Sequence, residues 1–153
     1  MVLGRILPAV ILGFAVLSVG PASAEDAWVV KNSPHSVADT VGKLTAAIDN
    51  AGAKVAATVD HAAAAEKAGM QLPPTTVVIF GNPKLGTPLM VENRRFAMDL
   101  PIKVLVWQES DATMIGYVEP DVLAERYGIA GDNKSIQAMK MALGKLTDAA
   151  AAE

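Results

Sequence analysis

The sequence predicts a single α+β domain that follows an N-terminal export signal. Short segments rich in β-branched and aromatic residues, such as 75–80 and 102–107, are typical of strands. Other segments repeat apolar residues every three or four positions, which is typical of amphipathic helices. The two patterns follow one another in the order β-α-β-α-β-α-β-β-α-α, with about five strands.

The first 24 residues have the three-part pattern of a secretory signal peptide. Residues 1–5 are basic, residues 6–19 are apolar, and Pro21 precedes the small residues Ala22-Ser23-Ala24 that signal peptidase requires. The apolar run has about 14 residues, whereas a membrane-spanning helix needs roughly 20. We therefore expect cleavage, no stable membrane span, and a periplasmic or secreted domain at residues 25–153.

Composition excludes several kinds of chemistry. The 153 residues include no cysteine, which excludes disulfides, thiolate catalysis, zinc–cysteine sites and haem attached through cysteine. The formal net charge is −3, without a block of like charge, so no nucleic-acid partner is expected. A mature chain of this size can bury one hydrophobic core without covalent cross-links.

The first half of the mature chain predicts two strands and two helices. Residues 27–32 form a strand, and Ser36 begins a helix that ends at Gly52. One face of that helix carries apolar residues: Val37, Val41, Leu44 and Ile48. Residues 53–59 form a second, alanine-rich strand, and 62–68 form a short helix.

The second half predicts three strands and three helical regions. The strand 75–80 ends at the turn Gly81-Asn82-Pro83. We expect Gly86-Thr87-Pro88 to break the next helix, leaving two short pieces around 89–97. The strands 102–107 and 114–118 are separated by a hairpin-length connection.

The C-terminal part predicts two helices. The first begins at Glu119-Pro120, because proline suits a first helical turn, and ends at Gly128. Asp132 or Asn133 begins the second. Its apolar face consists of Ile136, Met139, Leu143 and Leu146. We expect the alanine-rich tail after Asp148 to fray.

Two strands are apolar on both faces, at residues 77–80 and 104–107. Strands with one wet face alternate in polarity, and these do not. A second subunit or further helices must therefore cover the second face, because a large exposed apolar patch is abnormal for a monomer. The pattern favours a homodimer, and helices on both faces are the alternative.

Four segments of the mature chain form a specific combination: Asp60-His61-Ala62-Ala63-Ala64-Ala65, residues 76–90 with Phe80-Gly81-Asn82-Pro83-Lys84, residues 99–107, and Tyr117-Val118-Glu119-Pro120. In these segments the chain resembles a known family, the domain of unknown function 302. The resemblance covers nearly all of the mature chain. The resemblance implies an α+β fold with a mainly antiparallel sheet backed by helices, makes dimers plausible, and implies no reaction.

His61 is one candidate functional residue, beside Asp60 and close to Glu66. Histidine titrates near neutrality, so His61 could act as a general acid or base or as a metal ligand. The alternative is structural, because short polar residues before an alanine run often cap a helix. His35, in the connection after Pro34, is a weaker candidate.

The segment 81–90 is the second candidate. A tight turn between a buried strand and a helix can offer backbone N–H groups and a lysine to a ligand. Asn82, Lys84 and Thr87 are therefore predicted ligand-binding residues. The alternative is again structural, with Asn82 and Pro83 only fixing the turn. Phosphate-loop spacing is absent.

These features favour a non-catalytic exported binding or accessory domain that holds a small ligand, or a partner chain, near segment 81–90 and His61. The sequence contains no recognisable catalytic motif and identifies no cofactor. Asp99, Glu92, Glu109 and Glu119 are available for paired-carboxylate chemistry, but the sequence places no pair. The competing hypothesis is an enzyme or a metal- or haem-associated protein that uses His61. A third is a structural dimer whose sheet surface is its function.

Overall fold

The computed structural model describes residues 27–153, so the predicted signal peptide at residues 1–24 lies outside the described part. The predicted α+β class is confirmed, as is the order of elements. The strands are β1 (Trp28–Ser33), β2 (Lys54–Asp60), β3 (Thr75–Gly81), β4 (Ile102–Glu109) and β5 (Ala112–Val118). The helices are α1 (Val37–Asn50), α2 (His61–Lys67), α3 (Pro83–Glu92), α4 (Pro120–Tyr127) and α5 (Lys134–Ala151), with a 3₁₀ helix at Arg94–Asp99.

The five strands form one antiparallel sheet in the order β1-β5-β4-β3-β2. β4 and β5 form a hairpin whose turn contains Ser110 with φ of 53°, in the left-handed region. In β2 the register shifts between Val55 and Ala57, which leaves Ala56 as an extra residue in this edge strand. The antiparallel arrangement brings the start of β2 next to the end of β3.

One face of the sheet carries the hydrophobic core. Val78, Val104 and Ile115 point from the three central strands into this core and are fully buried. Leu44 and Ile48 of α1 pack there, and α1 and α5 contact each other. The α5 side chains that complete the layer are Ile136, Met139, Leu143 and Leu146, the four predicted from the sequence. The core is therefore a sheet covered by helices on one face.

The predicted helix break at Gly86-Thr87-Pro88 is wrong. α3 begins earlier, at Pro83, and continues through Pro88 to Glu92. Proline inside a helix removes one backbone hydrogen bond, but Pro88 and Lys84 are both exposed, so water can reach the freed carbonyl. Gly86 serves close packing instead: an added Cβ would lie 3.1 Å from Cδ1 of Leu100.

The predicted fraying after Asp148 is also wrong. α5 continues to Ala151, and Ala150 is fully buried. The carbonyl oxygen of Ala152 accepts hydrogen bonds at 2.7 Å from the His35 ring Nε2 and from the Lys43 Nζ. Small side chains let the tail lie against the domain, a tertiary effect that composition alone does not reveal.

Candidate functional site

An apolar cavity of about 510 Å³ opens at the end of the sheet where β3 passes into α3. Phe80 and Ile102 contribute from the sheet, and Leu85, Gly86 and Met90 contribute from α3. The remaining walls come from α5, the start of β2 and the approach to β4: Met139, Ala142, Leu143, Leu146, Ala51, Ala53, Ala56, Ala97, Leu100 and Pro101. We call this space the α3–α5 cavity.

The turn after β3 positions one wall of this cavity. Asn82 is extended (φ −130°, ψ 115°), and its Oδ1 accepts a hydrogen bond of 2.9 Å from the Lys84 backbone N–H. Pro83 is then the first helical residue, where its missing N–H costs nothing. Asn82 and Pro83 therefore fix the turn, as the structural alternative predicted, and this turn places α3 over the cavity.

Three polar side chains line the α3–α5 cavity: Lys54, Asn82 and Thr87. Lys54 and Thr87 are exposed and Asn82 is half-buried, so they lie towards solvent rather than in the core. The fourth residue that the sequence nominated in this segment, Lys84, is exposed and does not line the cavity. Of the predicted site residues, Asn82 and Thr87 are thus brought together, and Lys54 joins them from β2.

His61 lies at the opposite end of β2 and β3. In the register, Lys54 is opposite Gly81 and Asp60 is opposite Thr76. Six residues of strand separate the two ends, which is about 20 Å. The predicted juxtaposition of His61 with the segment 81–90 is therefore not formed, because an antiparallel pair places these two connections at different ends.

The environment of His61 is that of a helix start. Oδ1 of Asp60 caps α2 by accepting a hydrogen bond of 2.9 Å from the Ala63 N–H, and His61 is the exposed first helical residue. A wider groove of about 1310 Å³ lies between α1, α2 and the segment after α2, lined by Asp60 and Glu66 but not by His61. Within residues 27–153, no three His, Asp or Glu side chains are grouped to hold a metal ion.

Each of the four acidic residues considered for paired-carboxylate chemistry interacts with a different partner side chain. Oδ2 of Asp99 accepts hydrogen bonds from Tyr127 Oη at 2.6 Å and from Arg126 Nη1 at 3.0 Å. Glu119 Oε1 lies 3.1 Å from Lys140 Nζ, an ion pair without hydrogen-bond geometry. Glu92 accepts from Asn133, and Glu109 accepts from Trp107. Each carboxylate therefore has a structural partner.

Three pKa shifts in residues 27–153 are clear, and all point upwards. Burial and then the Glu119 carboxylate raise the pKa of Tyr117. The hydrogen bond to Asp99 raises the pKa of Tyr127. The Asp121 carboxylate, followed by Glu119, raises the pKa of Lys140. Each shift strengthens the protonation state that the side chain already has at neutral pH, so none prepares an acid or base for catalysis there.

The second face of the sheet has no helix layer among the contacts of residues 27–153. Its central row, from β1 to β2, is Val30, Gly116, Leu105, Val77 and Val59. Val30 is 44% exposed and Val59 is 36% exposed. Trp28, in the adjacent row, is 43% exposed. Gly116 is required here, since an added Cβ would lie 2.9 Å from the Val29 carbonyl oxygen and 3.3 Å from the Trp107 ring. We call this surface the open sheet face.

Comparisons with known proteins identify similar domains. The family model described as "Domain of unknown function DUF302" matches residues 29–150. A crystal structure of a conserved DUF302 protein from Bacillus stearothermophilus superimposes with a TM-score of 0.75 at 18% identity, covering 81% of this chain and 98% of that one. At that identity, the likeness shows the fold alone.

Curated relatives from Brucella are longer. The fluoride-specific ion channel FluC 1 of Brucella suis is 39% identical over 127 residues, which are 82% of this chain and 50% of that protein. The fluoride-specific ion channel FluC 2 of Brucella melitensis has the same identity over 47% of its length. The chain thus spans about half the length of these relatives. None of the helices in residues 27–153 combines the length and hydropathy that a transmembrane helix requires.

Proposed function

This chain belongs to the DUF302 family, a family of domains of unknown function, and we propose that it is a non-catalytic binding domain for a small molecule with a large apolar part. The observation that carries the proposal is the α3–α5 cavity, a concave space of about 510 Å³ with a few polar groups among apolar walls. Small-molecule sites have this size and this composition. Burial of apolar ligand surface against Leu143, Met90 and Phe80 supplies the binding free energy.

Filling the cavity tests this proposal. Ala142 lines the cavity from α5, whereas Ala149 is an exposed residue of the same helix that does not. Ala142→Phe should abolish binding of the neutral fluorophore N-phenyl-1-naphthylamine, and Ala149→Phe should leave it unchanged. The measurement is fluorescence titration of the mature chain, residues 25–153. Equal binding by both variants would contradict the proposal.

His61 supplies a second control. The competing hypothesis places function at His61, which lies at the far end of the strands from the cavity. His61→Ala should therefore leave probe binding unchanged. Loss of a metal or an enzymatic activity in that variant, with a normally folded domain, would favour the competing hypothesis.

We also propose that the domain functions outside the cytoplasm. The support is the three-part pattern of residues 1–24, with its short apolar run and the small residues before Glu25. Protein recovered from the periplasm or the medium should begin at Glu25 by intact-mass measurement. Recovery of the uncleaved chain from the membrane fraction would contradict this placement.

We further propose that two copies associate through the open sheet face. Exposed Trp28, Val30 and Val59 lie in adjacent rows of one surface, and an apolar surface shared by identical chains can pair with itself about a two-fold axis. Val30→Lys should convert the dimer to a monomer. Val91→Lys is the matched control, because Val91 is 80% exposed on α3. Sedimentation velocity distinguishes them, and a wild-type chain that is monomeric at micromolar concentration refutes this assembly.

The curated relatives favour a second candidate function, an accessory role for a membrane channel. A match of 127 residues in a chain of 153 has to include most of residues 27–153. A domain like this one therefore forms part of proteins that are called fluoride-specific ion channels. Fluoride itself does not suit the α3–α5 cavity, because dehydrating a small anion is costly in apolar surroundings. In this role the domain would contact the channel protein. Unchanged fluoride tolerance in cells that lack the gene would count against it.

A further inference from the structure

We propose that the natural ligand of the α3–α5 cavity is a free amphipathic anion, an unbranched aliphatic chain that ends in a carboxylate. The proposal rests on the binding function above and specifies its ligand class. Its basis is the contrast between the apolar walls and a rim whose three polar side chains present hydrogen-bond donors. The carboxylate lies at Lys54, and the tail extends between α3 and α5.

Among the described residues that line this cavity, Lys54 is the only one with a charged side chain. Its ammonium group forms no ion pair with an acidic side chain of residues 27–153. Lys54 lies opposite Gly81 in the β2–β3 register, directly beside the turn at Asn82. A cationic group next to an otherwise uncharged apolar space selects an anion over a neutral or cationic head group.

Asn82 adds a donor because its acceptor is already in use. Oδ1 of Asn82 accepts from the Lys84 N–H at 2.9 Å, which leaves Nδ2 directed elsewhere. Within residues 27–153, Nδ2 has no hydrogen-bond partner, and neither does the Thr87 hydroxyl. An amide –NH₂ and an ammonium group donate only, and a hydroxyl can do so. A carboxylate, which only accepts, is the complementary head group.

The apolar walls of the cavity favour a ligand with an aliphatic tail. Met139, Leu143 and Leu146 of α5 and Leu85 and Met90 of α3 line the cavity, and all five side chains are apolar. Methionine adapts to ligand shape, and leucine supplies apolar area. Each methylene that enters should strengthen binding about fourfold, corresponding to ~0.8 kcal/mol. The dependence should stop when the tail is longer than the cavity.

Calorimetric titration of the mature chain with hexanoate, octanoate, decanoate, decanol and decyltrimethylammonium tests the proposal. Decanoate should bind most tightly, and affinity should rise along the acid series. Lys54→Met should weaken decanoate binding about two- to fivefold, the range expected for an exposed ion pair, and should leave decanol unchanged. Lys67→Met, an exposed lysine of α2 outside the cavity, is the control and should change neither affinity.

The outcomes separate the ligand class from the binding function. Equal affinities for decanoate and decanol, or tightest binding of the cation, would overturn the anion proposal while the binding function stands. Failure of all the compounds, together with failure of the neutral fluorophore, would overturn both. If the chain cosediments with phosphatidylglycerol vesicles but does not bind decanoate, the anion belongs to a lipid surface. That result would overturn the proposal that the ligand is a free acid. High salt should reduce the preference for decanoate over decanol.

Discussion

Replacing Asn82 by alanine removes the side-chain oxygen that begins α3. That oxygen accepts a 2.9 Å hydrogen bond from the Lys84 N–H, and Pro83 directly after it has no N–H to satisfy. Loss of such a cap typically costs ~1 kcal/mol of unfolding free energy. For a domain of this size, the melting temperature should fall by about 4 °C. Urea denaturation followed by circular dichroism measures the free-energy change.

Asn82→Asp is the matched variant that separates capping from ligand binding. Aspartate keeps the accepting oxygen and places a negative charge at the helix N-terminus, which is favourable. Its stability should therefore equal or exceed that of the wild type. It lacks the amide –NH₂, so decanoate binding should weaken although the fold is intact. An Asn82→Ala variant within 0.3 kcal/mol of wild type, or an Asp variant as unstable as the Ala variant, would refute the capping argument.

Three further predictions concern stability. Gly116→Ala should lower the unfolding free energy by about 1–3 kcal/mol in urea denaturation, since the new Cβ would lie 2.9 Å from the Val29 carbonyl oxygen; an unchanged midpoint would contradict this. The hydrogen bond to Asp99 is the main cause of the raised pKa of Tyr127. The stabilisation of the folded state that accompanies this raised pKa is therefore complete below the unfolded pKa of about 10, and it is lost as the pH rises through the folded pKa. As the pH rises above about 10, Tyr127→Phe should therefore show a shallower fall in melting temperature than wild type, and parallel curves would refute the assignment. Deleting residues 149–153 should lower the melting temperature, because Ala150 is fully buried; a fraying tail would leave it unchanged.

Elements with a strong local signal were predictable from the sequence. The apolar periodicity of the last helix identified its buried face, including Leu143 and Leu146. Gly128 ended α4 as expected, with φ of 65° in the left-handed region. Even the alanine-rich strand β2 formed, because it pairs with the strongly apolar β3. These predictions succeeded because residue propensity, the positions of glycine and proline, and apolar periodicity all indicated the same elements.

Tertiary contacts decided the elements that were predicted wrongly. Gly86 looked like a helix breaker, but it is a point of close approach to Leu100 inside a continuous helix. The tail containing Ala150 looked unsupported, yet it packs against the domain. Neither contact produces a periodic pattern of apolar residues in the local sequence.

The candidate site was partly predictable. The Gly-Asn-Pro turn identified Asn82, and the same segment contained Thr87; both line the cavity. Lys54 was missed, because only the β2–β3 register brings it beside Gly81. The α5 wall was assigned to the core by its periodicity, which does not distinguish residues that fill a core from residues that line a cavity. His61 was grouped with the turn although the strand direction separates them.

Methionine-methyl NMR of the mature chain tests the central claim most directly, because the methionines report on different surfaces. Met90 and Met139 line the α3–α5 cavity, Met70 lines the wider groove, Met114 lies on the open sheet face, and Met98 and Met141 are exposed. Titration with N-phenyl-1-naphthylamine should shift the Met90 and Met139 methyl signals in a saturable manner and leave the other four in place. Saturable shifts confined to Met70 or Met114, or no shift at all, would contradict binding in the cavity.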